Sequence, residues 1–356
     1  SLWKSQTWPA LNICKHCSVI QEYKATCPCT IMACALPGGL ARESPHGLRI
    51  REGGKPLKTP VLERKDGPLT GNLAEMEDML HKAWGPTFSM YQEAQPPSVA
   101  AFMERFGAHL PSPHHLEHLP ITPEDMRSAL KRMSPDTAFG AEGWRRDELA
   151  ALPDAMLQLL CELYEVIEET GVWPEAVTVG LISMLPKGAG LRPEKLRPIT
   201  VMSLIYRIWA SIRVRELMVW QDQWLHKGAF GFRRLMGCDD VYWNTAAQIE
   251  AALLSGQPLC GASLDFTKAF DRIPREIVFH IAEATGMPQS SLTALKGMYS
   301  QNRRRFRLPG DFVSADFGGT NGVLQGCPLS VMNMLMHVRC SMIEHETEAD
   351  PKCFAD

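Results

Sequence analysis

The sequence predicts an α/β (α+β) fold, and three observations carry that reading. An apolar, strand-like run, Pro258-Leu-Cys-Gly-Ala-Ser-Leu264, ends on Asp265. A helix signature follows it, with Pro274 at a first turn, Ile277, Val278 and Ile281 on one face and Gly286 as a stop. A second strand-like run, 177–185, turns through Pro186-Lys187-Gly188 and leads by way of Leu196-Arg197-Pro198-Ile199-Thr200 into a helix marked by Leu204, Ile208 and Ile212. Between 153 and 170 lies a long amphipathic helix with Met156, Leu159, Leu160, Leu163, Val166 and Ile167 as its apolar face and Gly171 as its stop. A carboxylate such as Asp265 at the end of a buried strand can hold a divalent cation, but it caps a helix equally well.

Composition sets the outer limits. The chain has 356 residues, 45% hydrophobic and 22% charged, which suits a globular protein of two or three subdomains. No apolar run approaches the ~20 residues of a membrane span, and no signal-peptide pattern opens the chain, so the expected location is nucleus or cytoplasm. Net charge is −3, so nucleic-acid binding has to come from local basic patches.

In chain order, residues 1–60 read as a Cys-rich leader and linker. Cys14, Cys17, Cys27 and Cys29 could supply four zinc thiolates, but the C-x-C half fits metal-knuckle spacing poorly and zinc is not favoured. The cysteines beyond Cys34 are scattered singly, which suits a reducing compartment. Residues 61–170 read as a helical N-terminal region. Within it 71–106 is expected to be helical, with Leu73, Met76, Met79, Leu80 and Trp84 on one stripe. Residues 107–120, with His109, His114, His115 and His118 among three prolines, are expected to form a loop. Thr122-Pro-Glu-Asp125 is a helix start with a capping residue, Pro at the first position and Asp three residues on; Met126, Ala129, Leu130 and Met133 give its apolar face. Basic side chains dominate 187–215, where Arg213 and Arg215 are expected on a solvated helix face. Between 301 and 310, Arg303, Arg304, Arg305 and Arg307 with Phe306 suggest a hairpin limb, suited either to a nucleic-acid backbone or to a blunted sheet edge.

Three stretches together resemble the reverse transcriptase domain of non-LTR (LINE-type) retrotransposons: Leu264-Asp-Phe-Thr-Lys-Ala-Phe-Asp271 as motif A, Asn321-Gly-Val-Leu-Gln-Gly-Cys-Pro-Leu-Ser330 as motif B, and Cys353-Phe-Ala-Asp356 as the start of motif C. The family's L-P-K…R-P-I block is matched at Lys187 and Arg197, and its G-F-R element at Gly231-Phe-Arg233. After that the chain departs, with Arg234-Leu-Met-Gly-Cys238 where x-G-R-S is usual. The resemblance implies right-hand polymerase fingers at 171–258 and a partial palm at 259–356. The thumb, and the endonuclease many relatives carry, are expected to lie outside these residues. Opening on Ser1 and closing within motif C, the chain is expected to be a fragment.

The resemblance also implies RNA-directed DNA polymerase chemistry, in which a deoxynucleotide is joined to a primer 3′-hydroxyl on an RNA template. Asp265 and Asp356, with the Phe266 carbonyl, would hold two Mg²⁺ ions (Mn²⁺ an alternative), because hard cations want oxygen ligands. Lys187 and Arg197 would meet the triphosphate, Phe270 would stand against the sugar's 2′ position, and Gln325 and Gly326 would border the nucleotide. Arg303, Arg304, Arg305 and Arg307 would meet nucleic acid. Without the second motif C carboxylate the fragment alone is expected to be inactive, with Asp271 and Asp316 the next carboxylates to consider. Two other readings stay open. An RNA-templated RNA polymerase would lack Phe270 and the Gln325-Gly326 pair. A degenerate, non-catalytic relic would at most bind nucleic acid, a reading to which the departure before Cys238 lends itself.

Overall fold

Val179–Pro186 is rich in residues that fit a buried pleated surface, and it forms the centre (β3) of a three-stranded sheet. β4, Leu196–Val201, pairs with it antiparallel from Leu181↔Val201 to Pro186↔Leu196. Gly188 and Gly190, at φ +97° and +111°, lie in the connection between them. β5, Arg303–Phe306, lies parallel to β3 on its other side, Ile182 opposite Phe306. The structure, a computed structural model, describes residues 60–188, 190–344 and 350–354. The expected zinc cysteines and Asp356 lie outside the described residues.

One face of the sheet is covered by α1, Leu73–Phe88, capped by Asn72. Met76, Leu80, Trp84 and Phe88 recur every four residues and pack with Ile182, Met184, Leu196, Phe306 and Leu308 around Leu62. Each such side chain contributes roughly 1.5–3 kcal/mol on burial. Trp84 Nε1 also donates to the Pro193 carbonyl at 2.9 Å, tying α1 to the loop between β3 and β4. Leu62–Glu63 (β1) and Leu69–Thr70 (β2) form a small hairpin ahead of α1. The helix expected over 71–106 is interrupted: it stops at Phe88, a four-residue turn follows at Met90–Glu93, and α2 restarts at Val99–Phe106. Pro96-Pro97 removes two donors and disfavours helix before it, and Ser98 then caps the new start.

Local signals held where the chemistry is local. α3, Pro123–Arg132, opens on the expected Thr122–Asp125 capping box and buries Met126, Ala129 and Leu130. α4, Asp154–Thr170, ends at Gly171 in the left-handed conformation. Its face is rotated from expectation: Leu157, Cys161, Tyr164 and Ile167 are buried, while Met156, Leu159 and Val166 are about half exposed. Tyr164 can be enclosed because its hydroxyl donates to the Ile205 carbonyl at 2.8 Å. α5, Leu204–Asp222, carries a larger correction: Arg213 is 2% exposed. Its guanidinium grips Glu168 at 2.6 and 2.7 Å and Glu216 at 3.0 Å, so a charge expected in solvent is instead paired inside. Arg215 is exposed, as expected. α7, Arg275–Thr285, ends at Gly286, and α8, Gln289–Gln301, abuts the end of α4. There a Cβ on Gly297 would stand 1.8 Å from the Gly171 carbonyl oxygen. α9 spans Ser330–Glu344.

The chain divides into two compact units. Everything above belongs to one, Lys55–Arg234 with Phe270–Asp356. The described part of the other is Leu235–Ala269, which contains α6, Cys238–Ser255, a helix with no buried residue and with Trp243 and Leu254 well exposed. The strand expected at 258–264 is not formed: residues 257–266 have no regular structure and are exposed. A strand exists only where its N–H and C=O groups meet a ladder, and an apolar run by itself supplies none.

Candidate active site

The motif B loop, 320–330, is fastened almost atom by atom. Asn321, fully buried, donates through Nδ2 to the carbonyls of Thr87 (2.8 Å) and Asp271 (2.6 Å), and its Oδ1 accepts from Met90 N at 2.9 Å. Gly322 N donates to the Ile273 carbonyl at 2.8 Å and Val323 N to that of Phe270 at 2.7 Å, which lays the loop along the end of motif A. Arg275, the first residue of α7, caps the carbonyls of Gly319, Asn321 and Gly322 at 2.8–2.9 Å. Burial, followed by the nearby Arg304, pulls the Arg275 guanidinium down to about 10. Tyr299 Oη accepts from Leu324 N at 3.1 Å. Buried Cys327 lies 3.0 Å from the Tyr206 hydroxyl, and burial raises its thiol above the ordinary range.

Gln325 joins the loop to the sheet. Its carbonyl accepts from Thr200 N on β4 at 2.7 Å, and its Nε2 donates to Asp271 Oδ2 at 2.7 Å. Gly326 follows at φ +107°, and a Cβ there would fall 2.7 Å from the Thr200 carbonyl oxygen. Only glycine lets the loop lie this close to the strand. Arg197 stands three residues before Thr200 on β4, opposite Leu185, and Lys187 lies just past the end of β3, its N–H 3.4 Å from the Lys195 carbonyl. Both cationic side chains are exposed. Lys187, Arg197, Gln325, Gly326, Phe270 and Asp271 thus belong to one hydrogen-bonded assembly of β3, β4, the motif B loop and the end of motif A. Phe270 is half-buried there.

The four arginines of 303–307 separate by strand period. Arg303, Arg305 and Arg307 are partly exposed; Arg303 pairs with Glu175 at 2.5 Å, Arg305 pairs with Asp316, and Arg307 lies over the Phe139 ring. Arg304 instead points inward, 3% exposed, against the Phe88 ring and 3.4 Å from Asn302 Oδ1. With Phe306 facing the core, Arg304 two residues earlier must face it too, a signal present in the sequence. Asp316 is occupied by Arg305 and Arg303. Cys353, at the start of motif C, pairs in parallel with Ala229, two residues before the G-F-R element. Asp265 and Phe266 lie in the other unit, in the exposed stretch described above.

Metal fit follows from these positions. Among the described residues no group of three or more His, Cys, Asp or Glu side chains could hold an ion, and Asp271 is engaged by Gln325. Among the described residues no helix is long and apolar enough to cross a membrane.

Comparison with known proteins agrees with the motifs. Residues 185–356 match the family described as reverse transcriptase (RNA-dependent DNA polymerase). The chain is 24% identical over 231 residues to the Retrovirus-related Pol polyprotein from type-2 retrotransposable element R2DM of Drosophila melanogaster, covering 63% of this chain and 21% of that protein. It is 26% identical over 222 residues to the Transposon TX1 uncharacterized 149 kDa protein of Xenopus laevis (59% and 16%). It is 25% identical over 174 residues to the RNA-directed DNA polymerase from mobile element jockey of Drosophila melanogaster (48% and 19%). The chain therefore spans about a fifth of the length of these relatives. With the motif B loop seated on the Lys187–Arg197 hairpin and this family match beginning at Leu185, residues 185–356 belong to the reverse transcriptase family, as part of a LINE-type element's reverse transcriptase domain.

Proposed function

We propose that this chain supplies the fingers and part of the palm of an RNA-directed DNA polymerase, which adds deoxynucleotides to a DNA primer on an RNA template. The observation that carries the reading is the double attachment of Gln325, to β4 through its carbonyl and to motif A's Asp271 through its side chain. A loop so fixed can border a nucleotide without reorganising when one arrives. In this reading Lys187 and Arg197 bind the triphosphate, Phe270 excludes a 2′-hydroxyl, and Arg303, Arg305 and Arg307 meet the nucleic-acid backbone. The inward Arg304 serves the core. Reverse transcriptases depend on divalent metal, and here Asp265, the Phe266 carbonyl and Asp356 would be the oxygen ligands offered to Mg²⁺.

The test is primer extension by the full-length protein on primed RNA with Mg²⁺. Replacing Asp265 with Asn removes one negative ligand, and extension is expected to fall by at least about 100-fold, the scale seen when a transition-state electrostatic partner is lost. Activity within a few-fold of wild type would overturn the assignment of motif A.

A further inference from the structure

The polymerase reading uses Asp271 only as an anchor for the motif B loop and gives it no part in nucleotide binding, although the residue is only 6% exposed and sits beside that loop. An ionised carboxylate accepts hydrogen bonds and cannot donate them, so the Gln325 atom 2.7 Å from Asp271 Oδ2 is the amide nitrogen. The amide oxygen then faces away from Asp271, and among the described residues no protein group donates to it. The rest of Gln325 has little freedom. Its carbonyl is held by Thr200, the preceding N–H by Tyr299 and the following Gly326 by its approach to β4. The orientation of the amide is the remaining variable, and Asp271 sets it. The buried guanidinium of Arg304 interacts favourably with the same carboxylate, which offsets the cost of keeping that charge inside.

We propose that Asp271 is a positioning residue for nucleotide binding, which locks the Gln325 amide so that Oε1 is presented as an acceptor to a donor group of the incoming nucleotide, a sugar hydroxyl or a base N–H. The inference rests on the polymerase function proposed above. It assigns Asp271 a role distinct from metal binding.

The experiment is steady-state single-nucleotide extension by the full-length protein, wild type against Asp271→Asn, Gln325→Glu and the double variant. Both deoxy and 2′,3′-dideoxy nucleotides are used. An amide in place of the Asp271 carboxylate both donates and accepts, so the Gln325 amide can turn over. KM for the deoxynucleotide should rise about 10-fold, the scale of one lost hydrogen bond, with kcat changed less than threefold. If the donor is the sugar hydroxyl, the preference for deoxy over dideoxy nucleotide falls in step with KM; if it is a base N–H, that preference holds and the rise in KM differs among the four bases. In the double variant the amide introduced at position 271 can donate to the carboxylate introduced at position 325, which still presents an oxygen outward. KM should therefore recover to within about threefold of wild type, as coupled neighbours do. An Asp271→Asn enzyme that melts normally and has unchanged KM, or a double variant no better than the worse single one, overturns the proposal.

Should Asp271→Asn fail to fold, the wild-type protein decides by NMR. The Gln325 side-chain N–H₂ signal, assigned by its loss in Gln325→Met, should exchange slowly with solvent, and fast exchange overturns the proposal. Absence of extension by the wild-type full-length protein would sink the polymerase reading and this inference together. Normal extension with an indifferent Asp271 would sink this inference alone.

Discussion

Replacing Gly322 with Ala perturbs the point where motif B crosses the end of motif A. Gly322 sits at φ +76°, and an added Cβ would lie 2.5 Å from the Asp271 carbonyl oxygen and 2.8 Å from the Asp271 Cα. Both neighbours are backbone, so the clash cannot be relieved by turning a side chain. The left-handed conformation costs a non-glycine residue roughly 1–2 kcal/mol. Withdrawing the loop also weakens the Gly322–Ile273 and Val323–Phe270 hydrogen bonds, each worth roughly 0.5–1.5 kcal/mol. The expected destabilisation is about 3 kcal/mol, which for a unit of this size lowers Tm by about 6–12 °C. Gly318, where an added methyl would meet nothing within 4 Å and φ is not positive, is the control, and its Ala variant should stay within about 0.5 kcal/mol of wild type. Thermal denaturation followed by circular dichroism measures both. A Gly322→Ala protein destabilised by less than about 1 kcal/mol, within the range of ordinary surface changes, would show that motif B does not rest on the Asp271 backbone.

Arg213→Met should cost about 3–5 kcal/mol in urea unfolding, because it leaves Glu168 buried without its bidentate partner; a loss no larger than that of a surface change would return Arg213 to the solvated face. Burial alone would raise the Glu216 carboxyl, but the His118 hydrogen bond and the Arg213 charge outweigh it and hold the group below its ordinary value. The stability this confers is therefore present above an unfolded pKa of roughly 4.3 and lost as pH falls through the lower folded value. Melting between about pH 6 and pH 3 should show a smaller acid-induced drop for Glu216→Gln than for wild type, and equal drops would count against the depressed carboxyl. Phe270→Val in the full-length protein should raise ribonucleotide incorporation while deoxynucleotide use falls less, and unchanged sugar selection would place the ring elsewhere. Lys187→Ala and Arg197→Ala should raise KM for all four deoxynucleotides alike, since phosphate contacts carry no base information; a base-dependent effect would contradict that role.

What the sequence makes legible is the chemistry that closes within a few residues. Thr122 and Asp125 announce a helix start because the capping box spans three residues. Gly171 and Gly286 announce helix ends because the left-handed cap needs one residue. The face of α4 is not legible in the same way. Aliphatic residues occur all around that helix, and what selects Leu157, Cys161 and Tyr164 is the neighbour they meet, including a carbonyl at Ile205, 41 residues away. Arg213 is the same case in charge, since its burial depends on Glu168, 45 residues earlier. The apolar run at 258–264 shows an appetite for burial, but a ladder partner is a property of the fold and no local pattern declares it.

The site divides along the same line. Gln325, Gly326, Lys187 and Arg197 stand out in sequence because they fall in stretches that resemble the family's motif B and its L-P-K…R-P-I block. Arg275, Asn321 and Thr200 hold those residues in place and do not stand out, since what they bind is main chain. Arg275 reaches carbonyls 44 to 47 positions away, and Asn321 joins the carbonyls of Thr87 and Asp271, which lie far apart along the chain. Any sequence offers carbonyls everywhere, so such fastening leaves no compositional trace. Asp271 lies between the two classes. It is visible in motif A as a carboxylate and would be counted with Asp265 as a metal ligand by residue type. Its burial and its bond to Gln325 give it a different task, fixing a neighbour's amide. Two aspartates of one short motif can thus carry unlike roles, and burial with hydrogen-bond partners, more than residue type, tells them apart.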